Sequence, residues 1–103
     1  MTARIKGMTP RIEEVIAELK QLISARYPEA KYELADGDDP EGVRLIPIVD
    51  VDDLLEVVDI VSPRLVDLQV EEGLQLYVIP ERTPERNLEV IRQVLEKRSA
   101  AIR

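Results

Sequence analysis

The residues best equipped for chemistry in this chain are carboxylates. Asp50-Val51-Asp52-Asp53 closes the apolar run Val43 to Asp53, at the point where a strand should give way to a helix. Asp50 and Asp52 alternate with apolar neighbours, so both project to one side of a strand. Two carboxylates so placed can hold Mg²⁺ for phosphoryl transfer or nuclease chemistry, which makes Asp50 and Asp52 the candidate metal ligands. A simpler reading leaves Asp50 solvated and has Asp52 or Asp53 cap the following helix, whose positive end favours a carboxylate. The simpler reading is preferred. A second acidic group, Asp36, Asp38, Asp39 and Glu41, surrounds Gly37 but lacks the ligand spacing of an EF-hand and reads as a turn. Arg44 stands alone between apolar residues. It suits an anion, or more simply a cross-strand pair with Asp36 or Glu33.

The Asp-x-Asp of Asp50 and Asp52 resembles that of polymerase-beta-like nucleotidyltransferases, which would imply metal-dependent nucleotidyl transfer there. That family also carries a Gly-Ser turn upstream, whereas Gly37 is followed by Asp38. The remaining inventory for catalysis is thin. With no Cys and no His, thiol nucleophiles, Cys or His metal sites and histidine acid–base chemistry are excluded. The four glycines are scattered singly, so no phosphate-cradling loop exists, and there is no Gly-x-Ser-x-Gly elbow. No cofactor is expected.

Composition narrows the partners. The 103 residues are 45% hydrophobic and 34% charged, as in a globular domain, with a formal charge of −7. An acidic chain with no Phe, no Trp and three Tyr is poorly suited to phosphates or stacked bases, so no nucleic-acid partner is expected. Arg82, Arg86, Arg92, Lys97 and Arg98 are interleaved with Glu81, Glu85, Glu89 and Glu96, which reads as a salt-bridged, solvated helix face. No apolar run approaches a membrane span and Met1 to Gly7 has no signal core, so a cytoplasmic protein with no membrane partner is expected. A single Asn, no Cys and abundant Arg and Glu match the drift of heat-adapted proteins.

These groups must be positioned by a small set of elements. Residues 1–8 are expected to be a flexible N-terminal segment ahead of one domain over 9–103. Thr9-Pro10 starts a helix, with Ile12, Val15, Ile16, Leu19, Leu22 and Ile23 at helical spacing, and Tyr27-Pro28 stops it. Glu29 to Asp36 alternates as an edge strand. Gly37 to Gly42 reads as a turn too long for a two-residue hairpin. Val43 to Val51 then returns antiparallel, apolar on both faces and hence central. Pro47 within it requires either a bulge or a missing neighbour. A broadly apolar helix follows from Leu54 to Val70, read as kinked through Ser62-Pro63 and ended by Gly73 in the left-handed region. Leu74 to Pro80 is a third strand, parallel to the second by the right-handed crossover rule. Thr83-Pro84 opens a last helix lined by Leu88, Ile91, Val94, Leu95 and Ile102.

The order α-β-β-α-β-α gives an α+β two-layer sandwich, a three-stranded mixed sheet packed by helices, similar in topology to a ferredoxin-like fold without its first strand. The stripe on the middle helix is wider than one sheet contact needs. An interface through Val57, Ile60, Val61, Leu65 and Tyr77 is therefore expected, to a second copy or a protein partner. Tyr27-Pro28, Gly37 to Gly42, Asp50 to Asp53 and Leu68 to Gly73 resemble strings in small bacterial α/β proteins of unknown function. That resemblance spans Tyr27 to Arg86 and implies no activity. The expected role is a non-catalytic interaction or regulatory module, with the Mg²⁺-dependent enzyme at Asp50 and Asp52 as the rival.

Overall fold

A computed structural model describes residues 5–38 and 41–101, with the side chains of 99–101 left aside. The expected order is found. Three helices, α1 (Pro10–Arg26), α2 (Leu55–Glu71) and α3 (Pro84–Ala101), accompany β1 (Lys31–Asp38), β2 (Glu41–Val49), β3 (Leu76–Val78) and β4 (Glu81–Arg82). The sheet is mixed: β1 pairs antiparallel with β2, and β3 and β4 both pair parallel with β2. β2 is the central strand.

Pro47 explains why the third strand is two pieces. Val43 N–H donates to Gln75 O at 2.9 Å, while Leu45 O and Val49 O accept from Ile79 N–H and Thr83 N–H at 2.9 and 3.2 Å. The odd-numbered residues of β2 thus turn their backbone groups toward β3 and β4, and position 47 falls in the same phase. Proline has no N–H to offer there. β3 and β4 keep one register along β2, so the gap sets Pro47 against Pro80. A missing neighbour is the answer to the proline problem.

One face of the sheet is covered. Val43, Leu45, Val49 and Leu76 meet Ile12, Val15, Ile16, Leu19 and Ile23 of α1 and Val57, Val61 and Leu68 of α2 in a single core. The helices start and stop as their sequences dictate. Thr9 Oγ1 accepts from Ile12 N–H at 3.1 Å with Pro10 in the first turn, and Gly73 at φ 65° ends α2. α2 runs unbroken through Pro63, with Ser62 Oγ donating to Val58 O at 2.8 Å. Two clasps tie α1 to α2 and its C-terminal end: Arg64 to Glu18, part-buried, at 2.6 Å, and Arg11 to Glu72, exposed, at 2.8 Å. The Arg11 guanidinium holds the Glu72 carboxyl below the ordinary carboxylate range. The N-terminal segment also reaches the body of the domain. Ile5 and Met8 pack on the core and Lys6 N–H donates to Asp36 Oδ2 at 2.7 Å, while residues 1–4 lie outside the described residues.

The hairpin corrects the expected turn. Pairing runs out to Asp38 opposite Glu41, which leaves only residues 39 and 40 between the strands. Glycines that resemble turn formers in sequence are here sites of close approach. Gly37 lies under the Arg44 guanidinium, and a Cβ at Gly42 would sit 2.6 Å from Gln75 O, at a φ of 151° that disfavours side chains. Gly42→Ala is therefore expected to destabilise the fold by about 2 kcal/mol or more, read from the midpoint of a urea titration.

Candidate functional site

The acidic cluster sits where β2 ends, and its carboxylates do converge, on an arginine. Arg86, in the first turn of α3, donates from Nε to Asp50 Oδ1 at 2.7 Å and from Nη1 to Asp52 Oδ1 at 3.2 Å. Arg82 on β4 adds two bonds to the Asp52 carbonyl at 3.0 and 2.7 Å. Asp53 Oδ1 accepts from Leu55 N–H at 3.0 Å, but the residue at the N-cap of α2 is Leu54, not Asp52 or Asp53 as the capping reading expects. The paired carboxylates raise the Arg86 pKa further, chiefly through the Asp50 hydrogen bond. A fixed guanidinium thus stands where a cation between Asp50 and Asp52 would stand. Among the described residues, no three carboxylates gather as a metal-binding group.

The same contacts fix α3. Thr83 Oγ1 accepts from Arg86 N–H at 3.2 Å and Pro84 begins the helix, so the phase of its first turn aims Arg86 at Asp50. The helix meets the other elements chiefly at β4, the strand just ahead of it. Leu88, Ile91, Val94 and Leu95 are 68%, 46%, 57% and 57% exposed. Arg92 pairs along the helix with Glu89 at 2.6 Å and Glu96 at 3.1 Å, the solvated charge ladder expected from the sequence. Ile102, expected on the same stripe, lies outside the described residues. The molecule is consequently long, 55 × 28 × 27 Å with a radius of gyration of 16.2 Å, against about 13 Å for a compact chain of this length.

A second apolar surface lies on the sheet face opposite α1 and α2. Cross-strand pairing puts Ala35, Arg44, Ile46, Ile48 and Tyr77 on it, with Lys31 and Glu33 at its β1 border, and Ile79 joins them, 44% exposed. Ile46, Ile48 and Tyr77 are half-buried and none of these side chains belongs to the core. Arg44 spans this face, with its guanidinium 5.7 Å from the Tyr77 ring centroid and Nη1 donating to Gly42 O at 2.9 Å. Of its two expected partners, Asp36 is on the core face opposite Val43, whereas Glu33 shares the face of Arg44, because alternate residues of β1 face opposite ways.

The expected interface residues do not form one patch. Val57 and Val61 are 0% and 1% exposed in the chain's own core, which accounts for much of the width of the α2 stripe. Ile60 and Leu65 pack partly against that core, and Tyr77 lies across the sheet. The most exposed apolar residues of α2 are instead Leu55, Val66 and Val70. A depression of about 290 Å³ lined by Arg26, Tyr27, Glu56, Asp59 and Ile60 has its main polar pair already joined, Tyr27 Oη donating to Glu56 at 3.0 Å. Sequence reasoning missed Arg86 as the carboxylates' partner and the exposure of the α3 stripe. The Thr83-Pro84 start could have given the first, since it sets which residues of the first turn face back to the strand ends.

No protein-family model, curated protein or solved structure matches this chain. No helix among the described residues is long and apolar enough to cross a membrane.

Replacing Arg86 by Gln should free the first turn of α3, lowering the melting midpoint by about 2–5 °C and speeding amide exchange from Leu88 onward relative to α1. With the guanidinium in place, millimolar Mg²⁺ should leave the wild-type melting midpoint unchanged, because an ion that does not bind the native state cannot shift it.

Proposed function

We propose that this protein is a non-catalytic interaction module that acts through exposed apolar surface, as a homodimer or with a protein partner. One observation carries the reading. α3 is amphipathic, its apolar residues are exposed over two successive turns, and Arg92 on its polar side is paired with Glu89 and Glu96 of the same helix. Scattered single apolar residues on a surface are ordinary, but an aligned stripe on a projecting helix is the form in which helices are recognised by partners. The acidic cluster supports the same reading from the other side. Asp50 and Asp52 both pair with Arg86, which favours a task in holding the base of α3. A regulatory role follows naturally from such a device, since whatever occupies the stripe also sets the disposition of α3.

Ile91→Glu places a charge in the middle of the stripe without touching the core. It should weaken association at least about tenfold while leaving the circular dichroism spectrum and the melting midpoint of the monomer unchanged. Sedimentation over a concentration series, with affinity capture using wild type and variant side by side, reads the effect. A wild-type chain that stays monomeric and retains no protein beyond those held by the variant would overturn the reading.

A further inference from the structure

The chain carries two uncovered apolar surfaces of different shape, and they fit each other. We propose that α3 of one molecule seats on the open sheet face of a second copy, and the second copy returns the contact about a twofold axis. This rests on the interaction reading above and commits it to one occupant and one geometry.

Three observations support the fit. The first is dimension. Leu88 to Leu95 rises about 10 Å along the helix, and the open face from Arg44 to Ile48 extends about 13 Å along β2, with Tyr77 and Ile79 alongside. The second is charge. From Pro84 onward the chain holds five basic and three acidic residues, against nine basic and eighteen acidic before it. α3 is therefore a basic helix on an acidic body, attracted to the body of another copy. Lys97 and Arg98 have no ion-pair partner among the described residues, and Glu33 and Glu81 lie on the open face, beside Lys31 and Arg44. The third is area. One seating buries on the order of 400 Å² on each surface, so the reciprocal pair reaches about 1,600 Å², the size of a standard specific interface. Pairing two α3 stripes alone would reach about half of that.

The chain has no cysteine, which makes the geometry directly readable. Ile79→Cys and Leu95→Cys both alter exposed side chains. The two variants, one carrying a mass tag, are mixed at tens of micromolar, treated with a short bismaleimide and separated by mass, beside light scattering of the wild type. The expected result is a particle of twice the 11.7 kDa chain, with the tagged–untagged product at least fivefold in excess over either self-linked product. Adding Ile91→Glu to both variants should remove the product. Efficient self-linking of Leu95→Cys would show paired helices, overturning the seating while leaving the interaction reading in place. A monomer that links internally when Ile79→Cys and Leu95→Cys share one chain overturns it as well, since α3 would then cover its own sheet. A monomer with neither link, and with association to another protein that Ile91→Glu abolishes, overturns the second copy as occupant but not the stripe as interface.

Discussion

The backbone of β2 is the constraint on which the rest depends. It carries a ladder on each edge and apolar side chains on each face, so every other element is defined by its relation to this strand. Its odd-numbered side chains nucleate the core under α1 and α2; its even-numbered ones form the open face. A strand flanked on both edges has no freedom to slip, because a one-residue shift would exchange the two faces. Pro47 removes one donor from that arrangement. The molecule accommodates the loss by letting the partner strand lapse opposite Pro80 and then resume in register.

The ends of that strand determine how α3 is carried. Asp50, Asp52 and Asp53 follow directly on β2 and divide their work: two hold Arg86, and the third serves the first turn of α2. The junction therefore fixes the starts of two helices from four consecutive residues. Exposed ion pairs are individually weak, but here the guanidinium bridges two carboxylates next to a capped, proline-initiated turn, and these local restraints act together. α3 leaves the body with a defined root and an unsupported shaft.

Much of this was legible in the sequence. Alternation located β1, an apolar run located β2, Thr-Pro pairs located the starts of α1 and α3, and the crossover rule gave the parallel pairing of β2 with the third strand. What was not legible depended on contacts between residues far apart. Gly37 and Gly42 read as turn residues because sequence shows only the absence of a side chain, not the guanidinium or carbonyl occupying the space. The breadth of the α2 stripe suggested a partner surface, yet Val57 and Val61 are spent on α1 and the sheet. Amphipathic periodicity tells which face of a helix is apolar but not what covers it, so the exposure of the α3 stripe could not be read from it. The charges around Asp50 were visible; that they close on Arg86 required the register of α3 against β2.

The interrupted third strand has a consequence for how this surface-rich chain avoids aggregation. An apolar protein with open sheet borders invites unlimited addition of strands, copy after copy. Here the border beyond β3 and β4 is three residues, a break and two residues, with Pro80 in the break. The opposite border, β1, bears Lys31, Glu33, Asp36 and Asp38, charges that resist stacking like on like. Growth along the hydrogen-bonding direction is blocked at both ends. Contact through the open sheet face, in contrast, adds no strand and does not depend on these borders.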